Sequence, residues 1–217
     1  MSAEVGPGRV EASHAARLFL DRLERLSRGE RALLKRNAGQ TIASSRNAVG
    51  LFYRILPKVS ADQEEFYFLV ATLYGFNQRG HAGNLGATMR DLKQVRDRKR
   101  YGRAPDTGVS TPERKDRNPI DRRMAILLDA EFDLVDGRYP GGGEMAYRLW
   151  QCVKLADSAE VGVNWLTLLQ DLPWWSHPNR RVRKQWARAY FQGSATGEKQ
   201  GSHQDLKLGE EETGDAS

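Results

Sequence analysis

The chain has 217 residues, of which 39% are hydrophobic and 29% are charged, and its formal net charge is +6. This composition is typical of a soluble globular protein, and no apolar run approaches the roughly 18 residues of a membrane-spanning helix. The first residues lack the basic start and the apolar segment of a secretory signal, and the single cysteine, Cys152, excludes an intramolecular disulfide and a multi-cysteine zinc site. We therefore expect a cytoplasmic protein without a membrane partner.

The charge is unevenly distributed along the chain. Residues 193–217 contain two cations and six acids, and their net charge of −4 leaves +10 on the rest of the chain. Between Arg90 and Arg123 there are twelve cations and six acids. A basic body of this kind favours a polyanionic partner such as nucleic acid. We expect residues 193–217 to form a disordered acidic tail.

The first two predicted helices follow a flexible segment at residues 1–12. Ser13 is a suitable N-cap for the first helix, whose apolar residues recur at helical spacing. The second helix is short and covers residues 31–37. Its leucine pair points inward, so Lys35 and Arg36 face solvent.

Two more helices are predicted in the N-terminal half. One covers residues 49–56 and is ended by Pro57. Ser60 and Gln63 then have the spacing of a capping box, which marks the start of the next helix. Over residues 65–76 this helix is apolar nearly all round, a pattern typical of a buried central helix.

A capped helix and a basic loop follow. Asn84 is a suitable N-cap, and the apolar spacing predicts a helix that ends at Val95. The segment 96–117 has almost no apolar content and several turn-forming residues, which predicts a mobile basic loop. This loop separates an N-terminal helical lobe at 13–95 from a C-terminal helical lobe at 118–192. Three cations lie away from the apolar stripe of the capped helix: Arg90, Lys93 and Arg96.

The C-terminal lobe begins with Asn118 as N-cap and Pro119 at the first helical position. Towards its end, Asn164 caps one helix and Pro178 begins the last one. On the last helix, apolar residues repeat every fourth position and cations occupy the remaining face. No segment shows the period-2 alternation of a strand, so we predict an all-α fold, a helical bundle that forms one compact unit or two small lobes.

The sequence does not indicate a catalytic site. The four histidines are scattered, and neither a His-Glu-x-x-His pair nor a glycine-rich phosphate loop occurs. Cys152 lies in an apolar helical context that favours a buried core residue over a nucleophile. Asp129 and Glu131 could hold a magnesium ion as in nucleases, although a solvated helix end explains them better. We therefore predict that the protein is not an enzyme and binds no cofactor or metal.

Basic residues recur on several predicted helices and are interleaved with tryptophan and tyrosine. Arginine can bridge two phosphate oxygens and can stack on unpaired bases, so this distribution suits a nucleic-acid backbone. Charge alone leaves nucleic-acid binding and an unoccupied solvated face equally open.

Six motifs occur along the chain: Leu33-Leu34-Lys35-Arg36, Gly83-Asn84-Leu85-Gly86, Ile120-Asp121-Arg122-Arg123-Met124, Val163-Asn164-Trp165, Trp174-Trp175-Ser176 and Arg180-Arg181-Val182. In this order they resemble the CasB family, the small subunit of the type I-E CRISPR surveillance complex called Cascade. The resemblance covers nearly all of residues 15–191.

The resemblance implies an all-helical, non-enzymatic subunit, present as two copies along the inner side of an RNA-guided complex. Its implied partners are the backbone and large Cascade subunits with guide RNA, a second copy of itself, and the displaced non-target DNA strand. Holding that strand by its phosphates stabilises the R-loop in antiviral defence, while guide RNA pairing selects the target. The alternative is a stand-alone helical DNA-binding protein or regulator.

The resemblance also implies which residues contact phosphates. By motif position they are Lys35, Arg36, Arg122, Arg123, Arg180, Arg181, Arg183 and Lys184. The outer cations of the capped helix are additional candidates: Arg90, Lys93 and Arg96.

The chain departs from the family pattern at Asn84, where the family favours serine, and at Pro173, which predicts a helix kink. The basic loop and the acidic tail look like extensions to the family pattern, and the tail could shield the basic surface when DNA is absent. We predict a packing role for four tryptophans: Trp165, Trp174, Trp175 and Trp186. Pro173 is placed to turn one of the middle pair outward.

Overall fold

The computed structural model describes residues 7–101, 119–135 and 139–192. These ranges contain nine α-helices, one 3-10 turn and a two-stranded antiparallel ribbon. In chain order the elements are α1 (Pro7–Glu24), α2 (Arg28–Arg36), α3 (Val49–Ile55), α4 (Ala61–Tyr74), α5 (Leu85–Tyr101), α6 (Pro119–Asp129), β1 (Asp133–Val135), β2 (Tyr139–Gly142), α7 (Gly143–Ser158), α8 (Trp165–Asp171), the 3-10 turn (Leu172–Trp174) and α9 (Arg181–Phe191).

The all-α class is confirmed, with one correction. The predicted absence of strands is wrong for β1 and β2, which have three and four residues. Strands this short carry too few residues to show a period-2 pattern in the sequence. Within the described ranges, each helix is too short or too polar to cross a bilayer.

Helix α4 is the centre of the fold, as its apolar sequence predicts. Every residue from Glu65 to Tyr74 is buried, and the helix packs against α2, α7 and α8. The carboxylate of Glu65 accepts hydrogen bonds from the backbone N–H of Ile42, at 3.1 and 3.2 Å, which offset the cost of burying its charge. Because α7 and α8 come from the second half of the sequence, both halves share one hydrophobic core.

The first two helices begin earlier than predicted. Helix α1 begins at Pro7, so Ser13 lies inside the helix and does not cap it. Helix α2 begins directly after Ser27, whose hydroxyl accepts a hydrogen bond from the backbone N–H of Glu30. The Glu30 carboxylate in turn accepts one from the backbone N–H of Ser27, so a capping box forms here.

The predicted N-caps of three other helices occupy their expected positions. The side-chain oxygens of Asn84 and Asn164 each accept a hydrogen bond from the backbone N–H three residues on, at 3.2 and 3.0 Å. Ser60 precedes α4, but its side chain makes no capping hydrogen bond. The capping box predicted between Ser60 and Gln63 is therefore wrong.

Helix α5 is longer than predicted. It continues to Tyr101, so residues 96–101 are helical and do not belong to the loop predicted at 96–117. Arginine and lysine are good helix formers, and no glycine or proline occurs in this stretch before Gly102. The lack of apolar residues here indicates a helix end that projects into solvent. Three predicted features lie outside the described residues: the rest of the basic loop, the Asn118 cap and the tail at 193–217.

The segment before α9 also differs from the prediction. At Pro173 helix α8 gives way to a 3-10 turn, so the predicted kink takes the form of a tighter turn. Helix α9 begins at Arg181 and not at Pro178. The side chain of Asn179 accepts a hydrogen bond from the backbone N–H of Arg181 at 2.9 Å, and Arg180 adopts the left-handed conformation with φ 50°. That conformation interrupts the helical path between Pro178 and Arg181.

Helices α5, α6 and α9 pack together. Helix α5 approaches α9 closely at Gly86, where a Cβ atom would lie 2.1 Å from the carbonyl oxygen of Trp186. Helix α6 runs antiparallel to α9, because Asp121 in its first turn contacts Tyr190 and its last turn contacts Arg183.

Candidate nucleic-acid interface

The outer face of α9 carries three exposed cations at helical spacing, which we call the cation stripe: Arg181, Lys184 and Arg188. The stripe lies opposite Val182 and Trp186, which pack into the core. Among the described residues, no carboxylate lies within ion-pair distance of these three side chains. The stripe is therefore able to bind an anionic partner.

Two further arginines extend this exposed charge. Arg180 is exposed at the N-cap of α9. Arg122 is exposed on α6, next to Asp121, at the end of α6 that meets the end of α9. Its neighbour Arg123 is also exposed but lies towards α7, beside Cys152. Arg180 and Arg122 thus add exposed positive charge near the two ends of α9, whereas Arg123 lies on the α7 side of α6.

Arg183 is buried and paired within the fold, which disfavours the phosphate contact predicted for it. It is only 5% exposed. Its Nε donates to the carbonyl of Trp175 at 3.2 Å, one Nη donates to the carbonyl of Leu128 at 3.2 Å, and the other Nη pairs with Glu131. The guanidinium carbon lies 4.9 Å from the centre of the Trp175 ring. Arg183 therefore ties α9 to α6 and to the turn before α9.

The carboxylate of Glu131 forms an ion pair with Arg183. Burial opposes its ionised form, but the hydrogen bond and the charge of Arg183 outweigh burial and keep the pKa of Glu131 below its usual value. The hydroxyl of Ser176 also donates to the carboxylate at 3.1 Å. No group of three or more acidic, histidine or cysteine side chains within the described ranges is placed to hold a metal ion. Of the two carboxylates that could hold a magnesium ion in a nuclease, Asp129 and Glu131, the second is therefore already engaged in an ion pair.

Arg90 and Lys93, which are also predicted phosphate contacts, make contacts between helices. Lys93 Nζ donates to both carboxylate oxygens of Asp121, at 2.6 and 2.8 Å, and the Tyr190 hydroxyl donates to the same carboxylate. Arg90 donates to the adjacent aspartate at 3.1 Å and to the carbonyl of Ala189 at 3.2 Å. These two cations join α5 to α6 and α9, which explains why their charges are not free.

The remaining candidates are exposed but lie on other helices. Arg96 is on the projecting part of α5, and Lys35 and Arg36 are in the last turn of α2, which packs on α4. The Lys35 ammonium lies 4.5 Å from the centre of the Phe76 ring. The cation stripe, in contrast, is on α9, which packs on α5 and α6.

Three of the four tryptophans pack as predicted, and Trp174 does not. Trp165, Trp175 and Trp186 are buried, and each indole N–H donates to a carbonyl or a carboxylate at 2.9 Å or less. Trp174 is 60% exposed. The 3-10 turn is the reason, because three residues per turn place Leu172 and Trp175 on the same buried side and turn Trp174 outward.

The buried thiol of Cys152 will be unreactive in the folded protein. Burial raises the pKa of Cys152 to about 12, so little thiolate is present at pH 8. We expect iodoacetamide at pH 8 to leave the native protein unmodified and to alkylate it fully in urea, as measured by mass spectrometry. Rapid alkylation of the native protein would contradict this placement.

The sequence profile of a known family matches most of the chain. The family is CRISPR-associated protein Cse2, and the match covers residues 30–191, from α2 to the end of α9. This chain belongs to the Cse2 family. Cse2 and CasB are two names for one family, so the family predicted from the motifs is confirmed.

Cse2 relatives resemble the chain over almost their whole length. The Cse2 protein of Thermus thermophilus is 28% identical over 193 residues, covering 80% of this chain and 95% of the relative. The crystal structure of a Cse2-family protein from that organism superimposes with a TM-score of 0.57 at 24% identity, covering 82% of this chain and 97% of that one. A chain of a CRISPR RNA-guided surveillance complex has the same fold, with a TM-score of 0.57 at 20% identity, covering 84% of this chain and 94% of that one.

The phosphate contacts predicted from the sequence of this Cse2 chain do not include Arg188, one of the three cations of the stripe. Arg188 is exposed and follows Lys184 by four residues and Arg181 by seven. The signal that identifies it is this spacing, because residues four and seven apart lie on the same helix face. The buried Arg183, which the sequence-based set includes, lies off that face.

Proposed function

We propose that this Cse2 chain is the small, non-catalytic subunit of a cytoplasmic type I-E Cascade complex, and that it holds the displaced non-target DNA strand. Its proposed partners are the backbone and large Cascade subunits with guide RNA, and a second copy of itself. Two findings support the proposal: the chain belongs to the Cse2 family, and it shares its fold with a chain of a CRISPR RNA-guided surveillance complex.

The observation that carries the DNA-binding part of the proposal is the cation stripe. Arg188 follows Arg181 by seven residues of α9, about 10 Å along the helix axis, and the three cations are not neutralised within the described residues. Arg180 and Arg122 add exposed positive charge near the two ends of α9. Such a row of cations suits the phosphates of one strand, because each contact releases condensed counterions.

This surface has no means of reading a DNA sequence. Phosphates are the same at every position of a strand, so cations that contact them tolerate any sequence. In the proposed complex, guide RNA pairing selects the target and the Cse2 chain retains the strand that pairing displaces. Retention of that strand opposes reannealing and so stabilises the R-loop.

The test is a triple substitution of the cation stripe, Arg181→Ala, Lys184→Ala and Arg188→Ala, in the assembled complex. We expect weaker retention of the non-target strand for all sequences alike. The slope of log K against log salt on single-stranded DNA should decrease by about 2, since each lost phosphate contact removes roughly 0.7. Affinity is measured by fluorescence anisotropy at several salt concentrations.

The matched control replaces three exposed arginines of the N-terminal segment, Arg17, Arg25 and Arg28, which gives the same loss of charge. We expect this control to retain the wild-type slope. An equal loss in both triple variants, or a loss that depends on DNA sequence, would contradict the assigned surface. Failure of the chain to purify with guide RNA and the other subunits would instead favour the stand-alone DNA-binding alternative.

A further inference from the structure

Among the tryptophans of the described residues, Trp174 is the one whose side chain is largely exposed to solvent. It is 60% exposed, whereas its neighbour Trp175 is fully buried. Leu172 and Trp175 anchor the two ends of the 3-10 segment in the core, so the direction of Trp174 is set by the backbone. An indole that is held outward in this way is already ordered for contact with a partner.

The segment that follows Trp174 is fixed to the cation-bearing helices. The ring of His177 lies 5.8 Å from the Trp174 ring, and the carbonyl of His177 accepts a hydrogen bond from the backbone N–H of Arg180 at 2.8 Å. Ser176 is bound to Glu131, and Trp175 is bound to Arg183 of α9. These contacts hold the exposed indole on the segment that leads into α9, the helix that carries the cation stripe.

We propose that Trp174 stacks on an unpaired base of the nucleic-acid strand whose phosphates the cation stripe contacts. This inference rests on the proposed function and adds a contact of a different kind. Cations alone bind single and double strands by the same phosphates, whereas an aromatic ring can stack only on a base that is unpaired. Trp174 therefore gives the surface its preference for single-stranded nucleic acid. Stacking tolerates every base, because each base has a π face, so this preference carries no sequence information.

The charge around Trp174 favours a nucleic acid over an apolar protein segment as its partner. Arg180, Arg181 and Lys184 are all exposed close to it along the chain, and Glu131, the acid that follows α6, is paired with Arg183. An apolar partner covering Trp174 would have to leave these cations without counter-charges, which is costly. A strand of nucleic acid supplies a base for the indole and phosphates for the cations.

The test compares Trp174→Ala with the wild type on two oligonucleotides of one length, one with all bases and one with abasic sites throughout its central part. The full-length chain is used in fluorescence anisotropy at low salt. We expect Trp174→Ala to weaken binding of the normal strand roughly five- to tenfold, the lower part of the range for base stacking. The abasic strand should bind both proteins equally, and Trp174→Phe should retain most of the wild-type affinity.

Tyr53→Ala is the matched control, because Tyr53 is an aromatic residue about half exposed on α3. It should leave the affinity for both strands within twofold of the wild type. Equal effects of Trp174→Ala on the normal and abasic strands, or no effect on either, would overturn the stacking role. Loss of incorporation into the guide-RNA complex without any loss of DNA affinity would assign Trp174 to a protein contact instead, which also overturns it.

These outcomes are separable from those that test the proposed function. If the triple variant of the cation stripe weakens DNA binding and Trp174→Ala does not, the phosphate surface stands and the stacking inference fails. If neither variant weakens binding, the proposed DNA-binding function itself fails.

Discussion

Replacing Gly86 by alanine will destabilise the fold by about 3 kcal/mol or more, at the upper end of what an overpacked core costs. The added Cβ atom would lie 2.1 Å from the carbonyl oxygen of Trp186 and 2.8 Å from its carbonyl carbon. These are backbone atoms of α9, so no side-chain rotation relieves the clash. Relief requires α5 and α9 to separate, which disturbs the packing of the buried Trp186 ring.

The control for this prediction is the same substitution at Gly50, also inside a helix. A Cβ atom at Gly50 would meet nothing within 4 Å. Alanine there should raise the free energy of unfolding by roughly 0.5–1 kcal/mol, because it restricts the unfolded chain and favours the helix. Urea denaturation of the two variants measures the difference, and a Gly86→Ala protein as stable as Gly50→Ala would show that α5 and α9 are not in such close contact.

Replacing Arg183 by alanine will destabilise the protein by about 2–4 kcal/mol, the range for removing a buried hydrogen-bonding group whose partners remain. The carbonyls of Trp175 and Leu128 lose their donor, and the Trp175 ring loses the guanidinium beside it. The free energy of unfolding from urea titration provides the measurement. Arg183→Ala should affect DNA binding only to the extent that the protein unfolds.

The neighbouring substitution Lys184→Ala should behave in the opposite way. Lys184 is exposed and has no ion-pair partner among the described residues, so its removal should change stability by less than about 0.5 kcal/mol. It should weaken DNA binding at low salt and reduce the salt slope by about 0.7. If both variants lose stability equally, or both lose only DNA affinity, the assignment of the two side chains is wrong.

The ion pair of Arg183 also predicts a pH dependence. The pKa of Glu131 lies below its usual value of 4.5 in the folded protein, so the unfolded chain binds a proton at Glu131 more readily than the folded protein does. The stabilising contribution of this pair is therefore present above pH 4.5 and is lost as the pH falls below it. The Arg183→Ala variant lacks the ion pair, so it should not show the part of the stability loss at acid pH that protonation of Glu131 causes. Thermal unfolding of both proteins across the acid range measures the difference.

Helix positions were predictable where a local signal decides them. Asn84, Asn164 and Pro119 mark helix starts by their own chemistry, since each satisfies or removes a free backbone N–H at that point. The burial of α4 follows from residues that are apolar on every side. The predicted end of α5 was wrong because low hydrophobicity indicates exposure, and an exposed segment can still be helical.

The site was only partly predictable from residue types. Arg180 and Arg122 are exposed as predicted, whereas Arg183 is buried and Arg90 and Lys93 are paired with groups on neighbouring helices. Arginine occurs both in phosphate sites and in buried ion pairs, so its identity does not separate the two roles. The partners on neighbouring helices that separate the two roles lie 28 to 99 residues away along the chain: Asp121 for Lys93, Leu128 for Arg183 and Ala189 for Arg90.

By itself, the sequence determined the all-α class, most helix starts, the buried central helix, the motifs of the Cse2 family and the excess of positive charge. These properties depend on single residues or on spacing along one helix. Only the tertiary structure decided that Lys184 faces solvent while Arg183 is buried, and that Trp174 is exposed while Trp175 is packed. In each pair the residues are adjacent and chemically alike, so their roles follow from which neighbouring elements cover each side chain.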